Sequence, residues 1–153
     1  MVQKNTGGKY NVLVSYGFSL LLAILLIPGI SLAGDGTYNY ISAADLEARL
    51  NAKLPTHIVD IQVEEEFAEH HIKGATATYA YPVKSDADRT KLDATVEQIK
   101  GNNDPVVIVC PRGAGGAKRT YDYLLQQGIS AERLLILEKG QEGWSCMPLT
   151  ESS

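Results

Sequence analysis

From residue 38 onward, short apolar runs rich in β-branched residues alternate with segments whose apolar positions recur every three or four residues. A strand is expected over 38–41. Ser42 then starts a helix, with Asp45 three residues on in a near capping box and Leu46 and Leu50 one turn apart. His57 to Ile61 (HIVDI) reads as a buried strand, and Glu64, Glu65 and Glu66 open a short helix where carboxylates suit the positive end of the dipole. A weakly alternating strand over 75–81 precedes a helix over 89–100, whose apolar face is Leu92, Val96 and Ile99. VVIVC, residues 106–110, is the strongest strand in the chain. The next helix covers 117–127, with Tyr121, Leu124 and Leu125 on one side, and Gly128 stops it. Residues 134–137 form the last expected strand. Strands separated by helices, the central ones apolar throughout, predict a single α/β domain: a mostly parallel sheet with helices on both faces. In such folds ligands sit at the carboxyl ends of the strands.

The first 34 residues depart from this pattern because they carry no acid. Lys4 and Lys9 precede an uncharged stretch over 12–33, and its densest apolar run, Phe18 to Ile27, is the size of a signal-peptide core. Pro28 and Gly29 break the helix, and Ser31 and Ala33 put small residues where a signal peptidase reads. The expectation is cleavage after Ala33, leaving 34–153 as the working domain in an extracytoplasmic, periplasmic setting. The alternative is an uncleaved membrane anchor facing outside, since 12–33 could just span. Cleavage removes two lysines and no acid, leaving 12 basic against 18 acidic residues, so the formal charge moves from −4 to −6.

An acidic domain of this kind does not suit nucleic acid, whose phosphates need a basic surface. Two cysteines are too few for a disulfide framework or a four-thiolate zinc site.

Cys110 ends the strongest strand, and Pro111, Arg112, Gly113, Ala114, Gly115 and Gly116 follow. Glycines let backbone N–H groups turn inward around an anion, and the helix behind adds its positive end. A cysteine there is expected to ionise readily and act as a nucleophile. Arg112, Lys118 and Arg119 place three basic residues within eight positions, a local patch suited to an anionic substrate. Arg112, inside the loop, is the better candidate; Lys118 and Arg119 are equally well read as a solvated helix face.

These residues carry a resemblance. Asp60-Ile61 at a strand end, then Glu66-Phe67-Ala68-Glu69-His70-His71-Ile72-Lys73-Gly74-Ala75, resembles the rhodanese-domain signature. Cys110 with Gly113 is similar to the family's active-site loop, and residues 137–144 (LEKGQEGW) to the segment that closes the domain. The match runs over about residues 40–148. It implies a sulfurtransferase in which Cys110 takes sulfane sulfur from thiosulfate or polysulfide as a persulfide, held by the amides of Arg112 to Gly116, and passes it to a thiol, cyanide or protein acceptor. Asp60, Lys118 and Arg119 would be supporting residues, and the resemblance implies that neither a metal nor an organic cofactor is needed. The sequence departs from the family at Gln62, where Arg is usual two residues after the Asp, and at Pro111 and Gly115, where the loop commonly carries Arg. Fewer loop cations then face thiosulfate. Lys139 replaces a frequent Gly.

A non-turnover polysulfide or persulfide carrier is the second reading. A cysteine-dependent phosphatase or arsenate reductase would need Arg six residues after the Cys, where Gly116 stands. A nucleotide-binding loop would need Gly-Lys-Ser/Thr, which Ala117-Lys118-Arg119 does not supply. Cys146 is either a resolving thiol for Cys110 or a bystander. His70 and His71 are expected to be structural, as are Tyr79, Tyr81, Tyr121 and Tyr123.

Overall fold

The computed structural model describes residues 37–153. The expected leader, its cleavage point and the anchor alternative lie outside the described residues. No helix among the described residues is long and apolar enough to cross a membrane.

Five strands form one parallel sheet: β1 (Tyr40–Ile41), β2 (His57–Asp60), β4 (Thr76–Ala77), β5 (Val106–Val109) and β6 (Leu134–Leu137), in the order β1-β6-β5-β2-β4. The α/β architecture is therefore the expected one. β5 occupies the centre and all four of its residues are buried. Alternate side chains feed two cores. Val106, Ile108 and Cys110 join Ile61, Leu92, Val96, Ile99, Leu124 and their neighbours on one face. Val107 and Val109 join Ile41, Leu46, Ile58, Leu137 and Trp144 on the other. Burying each Ile or Leu side chain in this way stabilises the fold by about 1.5–3 kcal/mol. Helices α1 (Ala43–Asn51), α2 (Glu64–Glu69), α3 (Asp86–Thr90), α4 (Asp93–Lys100) and α5 (Gly115–Gln126) cover the sheet. As the near capping box predicts, the Ser42 hydroxyl accepts the Asp45 N–H.

Four elements differ from the sequence reading. The helix expected over 89–100 is two helices. Ser85 caps α3 reciprocally with Asp88, which fixes a start before Arg89, and the chain breaks at Lys91 and Leu92 before α4. α5 begins at Gly115 rather than Ala117, and Leu125 is 38% exposed rather than part of the buried face. The strand expected over 75–81 shrinks to β4. Two polar-edged strands went unforeseen: β3 (His71–Ile72) pairs antiparallel with β7 (Thr150–Glu151) in a separate two-stranded sheet, so the chain does not end its strands at Leu137.

Candidate functional site

Parallel pairing sets Asp60 opposite Val109, so β2 and β5 end side by side and Cys110 follows at their carboxyl edge. Cys110 is 2% exposed. The loop after it turns at Gly113, whose φ is +64°, and enters α5 without any side-chain cap at Ala114. The first N–H groups of a helix have no partner within it. Here the helix start directly follows the loop after Cys110.

A second segment clamps this loop. The N–H groups of Gln141 and Glu142 donate to the carbonyls of Cys110 and Pro111, both at 2.9 Å. Contact is close enough to demand glycine: a Cβ on Gly140 would lie 2.0 Å from the Cys110 oxygen and 2.5 Å from the Gly113 nitrogen. From the other side, a Cβ on Gly113 would lie 2.7 Å from the Leu137 oxygen. Gly116 is less crowded, with the Tyr81 ring 3.1 Å from an added Cβ. Lys139, at φ +60°, occupies the left-handed region that a glycine takes without cost, so the departure from the family carries a local strain of about 1 kcal/mol.

The expected loop cations are distributed differently from the sequence reading. Arg112 is exposed and donates to Glu142 at 3.3 Å, and that carboxylate holds its guanidinium above its ordinary value. Lys118 turns away, its Nζ 5.2 Å from the centre of the Tyr38 ring. Arg119 donates twice to the Pro82 carbonyl, at 2.9 and 2.7 Å, and its remaining nitrogen lies beside Gly115. Of the three, Arg119 is the one that stays next to the loop without a carboxylate partner.

Asp60 is fully buried. It accepts from the Gln62 N–H at 2.8 Å and from the Gln62 amide at 3.1 Å, while its carbonyl takes both the N–H and hydroxyl of Thr78. It thus ties β2 to the segment after β4. Burial pushes its carboxyl up to about 6, against the opposing effect of the Gln62 hydrogen bonds. A carboxyl raised in the folded state stabilises the fold below its unfolded value of 3.8, and that contribution is lost as pH rises through about 6. The difference is worth about 3 kcal/mol. Asp60→Asn should therefore flatten the fall in urea stability between pH 4 and 7; an unchanged slope would show that Asp60 is not its source.

Cys110 and Cys146 are both free thiols, and they pack against opposite faces of the sheet, so the resolving-thiol alternative is not realised here. Burial and a hydrogen bond to Glu47 push the Cys146 thiol up. His71 is structural, with Nδ1 2.8 Å from the Phe67 carbonyl and its ring stacked on Phe67 at 3.8 Å. Among the described residues there is no cluster of three or more His, Cys, Asp or Glu side chains able to hold a metal. The sequence reading missed Gly140, Gln141 and Glu142 as parts of the site, although the quoted closing motif contains them. Tyr81 packs against the core and against Gly116, as expected.

A cysteine at the edge of a central parallel strand, clamped by a glycine segment that follows β6, is an arrangement with known relatives. The profile of the Rhodanese-like domain matches residues 42–146. The chain belongs to the rhodanese-like domain family. Solved structures agree on the fold. A rhodanese-like domain protein from Staphylococcus aureus is 26% identical with a TM-score of 0.53, the alignment covering 75% of this chain and 98% of that one. A rhodanese-like domain from an Anabaena protein is 18% identical with a TM-score of 0.55, covering 76% and 81%. A thiosulfate sulfurtransferase from Pseudomonas aeruginosa is 22% identical with a TM-score of 0.58, covering 76% of this chain but only 20% of its own length. No curated protein matches the chain.

Proposed function

We propose that this rhodanese-like domain is a sulfurtransferase that carries sulfane sulfur on Cys110. The observation that supports it best is the placement of Cys110 at the carboxyl edge of β5, in a glycine-built loop that leads into the uncapped start of α5. Loop amides and the helix end suit a bound persulfide anion better than any neutral thiol. In the first half-reaction the Cys110 thiolate attacks the outer sulfur of the donor. A new S–S bond forms, the donor's S–S bond breaks, and the leaving group departs with the bonding pair. A thiolate or cyanide then attacks the outer sulfur and releases the Cys110 thiolate. Electrons balance without an external oxidant.

Polysulfide is the donor we favour over thiosulfate. Thiosulfate carries two negative charges on a sulfonate head that wants free cations, whereas Arg112 is engaged by Glu142, Lys118 lies over Tyr38 and two of the three Arg119 nitrogens are held by the Pro82 carbonyl. Steady-state assays with cyanide as acceptor should give at least a tenfold higher kcat/KM for polysulfide than for thiosulfate; thiosulfate used as well or better would refute the donor assignment. A carrier without appreciable turnover is the second reading, and the same scarcity of loop cations favours it. Loading of Cys110 without activity on either donor would identify it.

Export is part of the proposal, supported by the acid-free start and the small residues before Gly34. It places residues 34–153 outside the cytoplasm, the periplasm being the expected space, as the functional domain. Intact mass of the secreted protein tests it: a mass retaining residues 1–33 contradicts cleavage.

A further inference from the structure

Beside the loop, on the side of Pro111, lies a cavity of about 190 Å³. Glu66, Glu69, Gln141 and Glu142 line it, with His70 and Gln62 at its margin. Gln141 is 2% exposed, and neither its amide nitrogen nor its amide oxygen has a hydrogen-bond partner. One oxygen of Glu66, Oε2, is likewise enclosed and unpartnered. Orphaned polar atoms cost about 1–3 kcal/mol each when buried, so three around one cavity point to a ligand that supplies what they lack.

The wall specifies that ligand's chemistry. Its acceptors are Glu66, Glu69, the Gln141 oxygen and the part of Glu142 that Arg112 does not engage. Among the described residues no cation pairs with Glu66 or Glu69, because Gln62 is neutral and its amide is spent on Asp60 and the His70 carbonyl. Dispersed acceptors suit a planar, five-donor guanidinium better than a compact ammonium. The Gln141 amide N–H group needs an acceptor in turn, which a peptide carbonyl provides and a bare guanidinium does not.

We infer that this cavity binds the side chain of an arginine presented within a peptide segment of a partner protein. The Gln141 backbone N–H holds the Cys110 carbonyl, so one residue joins the wall of this cavity to the backbone of the cysteine. Its use in choosing a sulfur acceptor rests on the proposed transfer reaction; the binding itself does not.

The test is an NMR titration of the full chain with a blocked Gly-Arg-Gly peptide, run in parallel on the Cys110→Ser variant. Saturable shifts are expected in the Gln141 side-chain amide and the His70 and Glu142 backbone amides, in both proteins. The exposed Glu69→Gln should weaken binding about tenfold, the loss of one charge-assisted contact. The citrulline peptide should not bind. Absence of saturation, meaning that water alone fills the cavity, would overturn the inference. So would equal binding of the citrulline or lysine peptide, or of methylguanidinium. Because the Cys110→Ser protein cannot carry sulfur, binding retained there separates this inference from the fate of the transfer reading.

Discussion

Cys110→Ser is expected to lower sulfur transfer by at least about 10³, the loss seen when a covalent nucleophile is removed. Serine fills nearly the same volume as the thiol and can take its place in the core cluster that holds Cys110. The fold should therefore survive, with the urea midpoint little changed. Cys146→Ser is the matched control. It packs against the core on the opposite face of the sheet, and its exchange should leave transfer untouched. Transfer measured with polysulfide and cyanide on both variants decides between them. Equal loss in both, or in neither, would remove Cys110 from its role.

Gly140→Ala is the second large effect. Gly140 has φ +57° and ψ −150°, a region that only glycine enters readily. Added to that strain is direct overlap, since a Cβ would sit 2.0 Å from the Cys110 carbonyl oxygen and 2.7 Å from the Arg112 nitrogen. All of these neighbours are backbone, so none can swing aside as a flexible side chain would. The clamp must open, and with it the hydrogen bonds from Gln141 and Glu142 to the loop. A loss of about 3 kcal/mol in urea stability is expected, together with a fall in transfer of at least tenfold. A stability change below about 0.5 kcal/mol would mean that the clamp does not hold the loop.

Much of this fold was legible along the chain because its sheet is buried on both faces. VVIV and LLIL are continuous apolar runs that only a covered parallel sheet explains, and they became β5 and β6. β3 and β7 were not legible. Each has two residues, and their pairing joins positions about eighty apart with no apolar alternation to announce it. The α3 start was readable in hindsight from Ser85 and Asp88, a short capping box that the apolar face of Leu92, Val96 and Ile99 obscured.

The site divides along the same line. Cys110 and the glycines after it follow from local sequence, because a thiol at a strand end before a glycine run has few other uses. Partnerships across the chain do not. That Arg112 faces Glu142, thirty residues on, is a property of the folded loop pair. So is the demand for glycine at 140, which comes from the Cys110 carbonyl as well as from its own positive φ. Gln62 stands out in sequence only as a missing arginine; its hydrogen bonds to the buried Asp60, and the unpartnered Glu66 oxygen in the same cavity wall, need the three-dimensional neighbourhood.

The central claim is that Cys110 carries the sulfur. Its most direct test is peptide-resolved mass spectrometry of the purified protein before and after exposure to polysulfide. A gain of about 32 Da, one sulfur atom, is predicted on the peptide containing Cys110, removed again by cyanide. An unmodified Cys110 peptide, or a gain confined to the peptide containing Cys146, would contradict it.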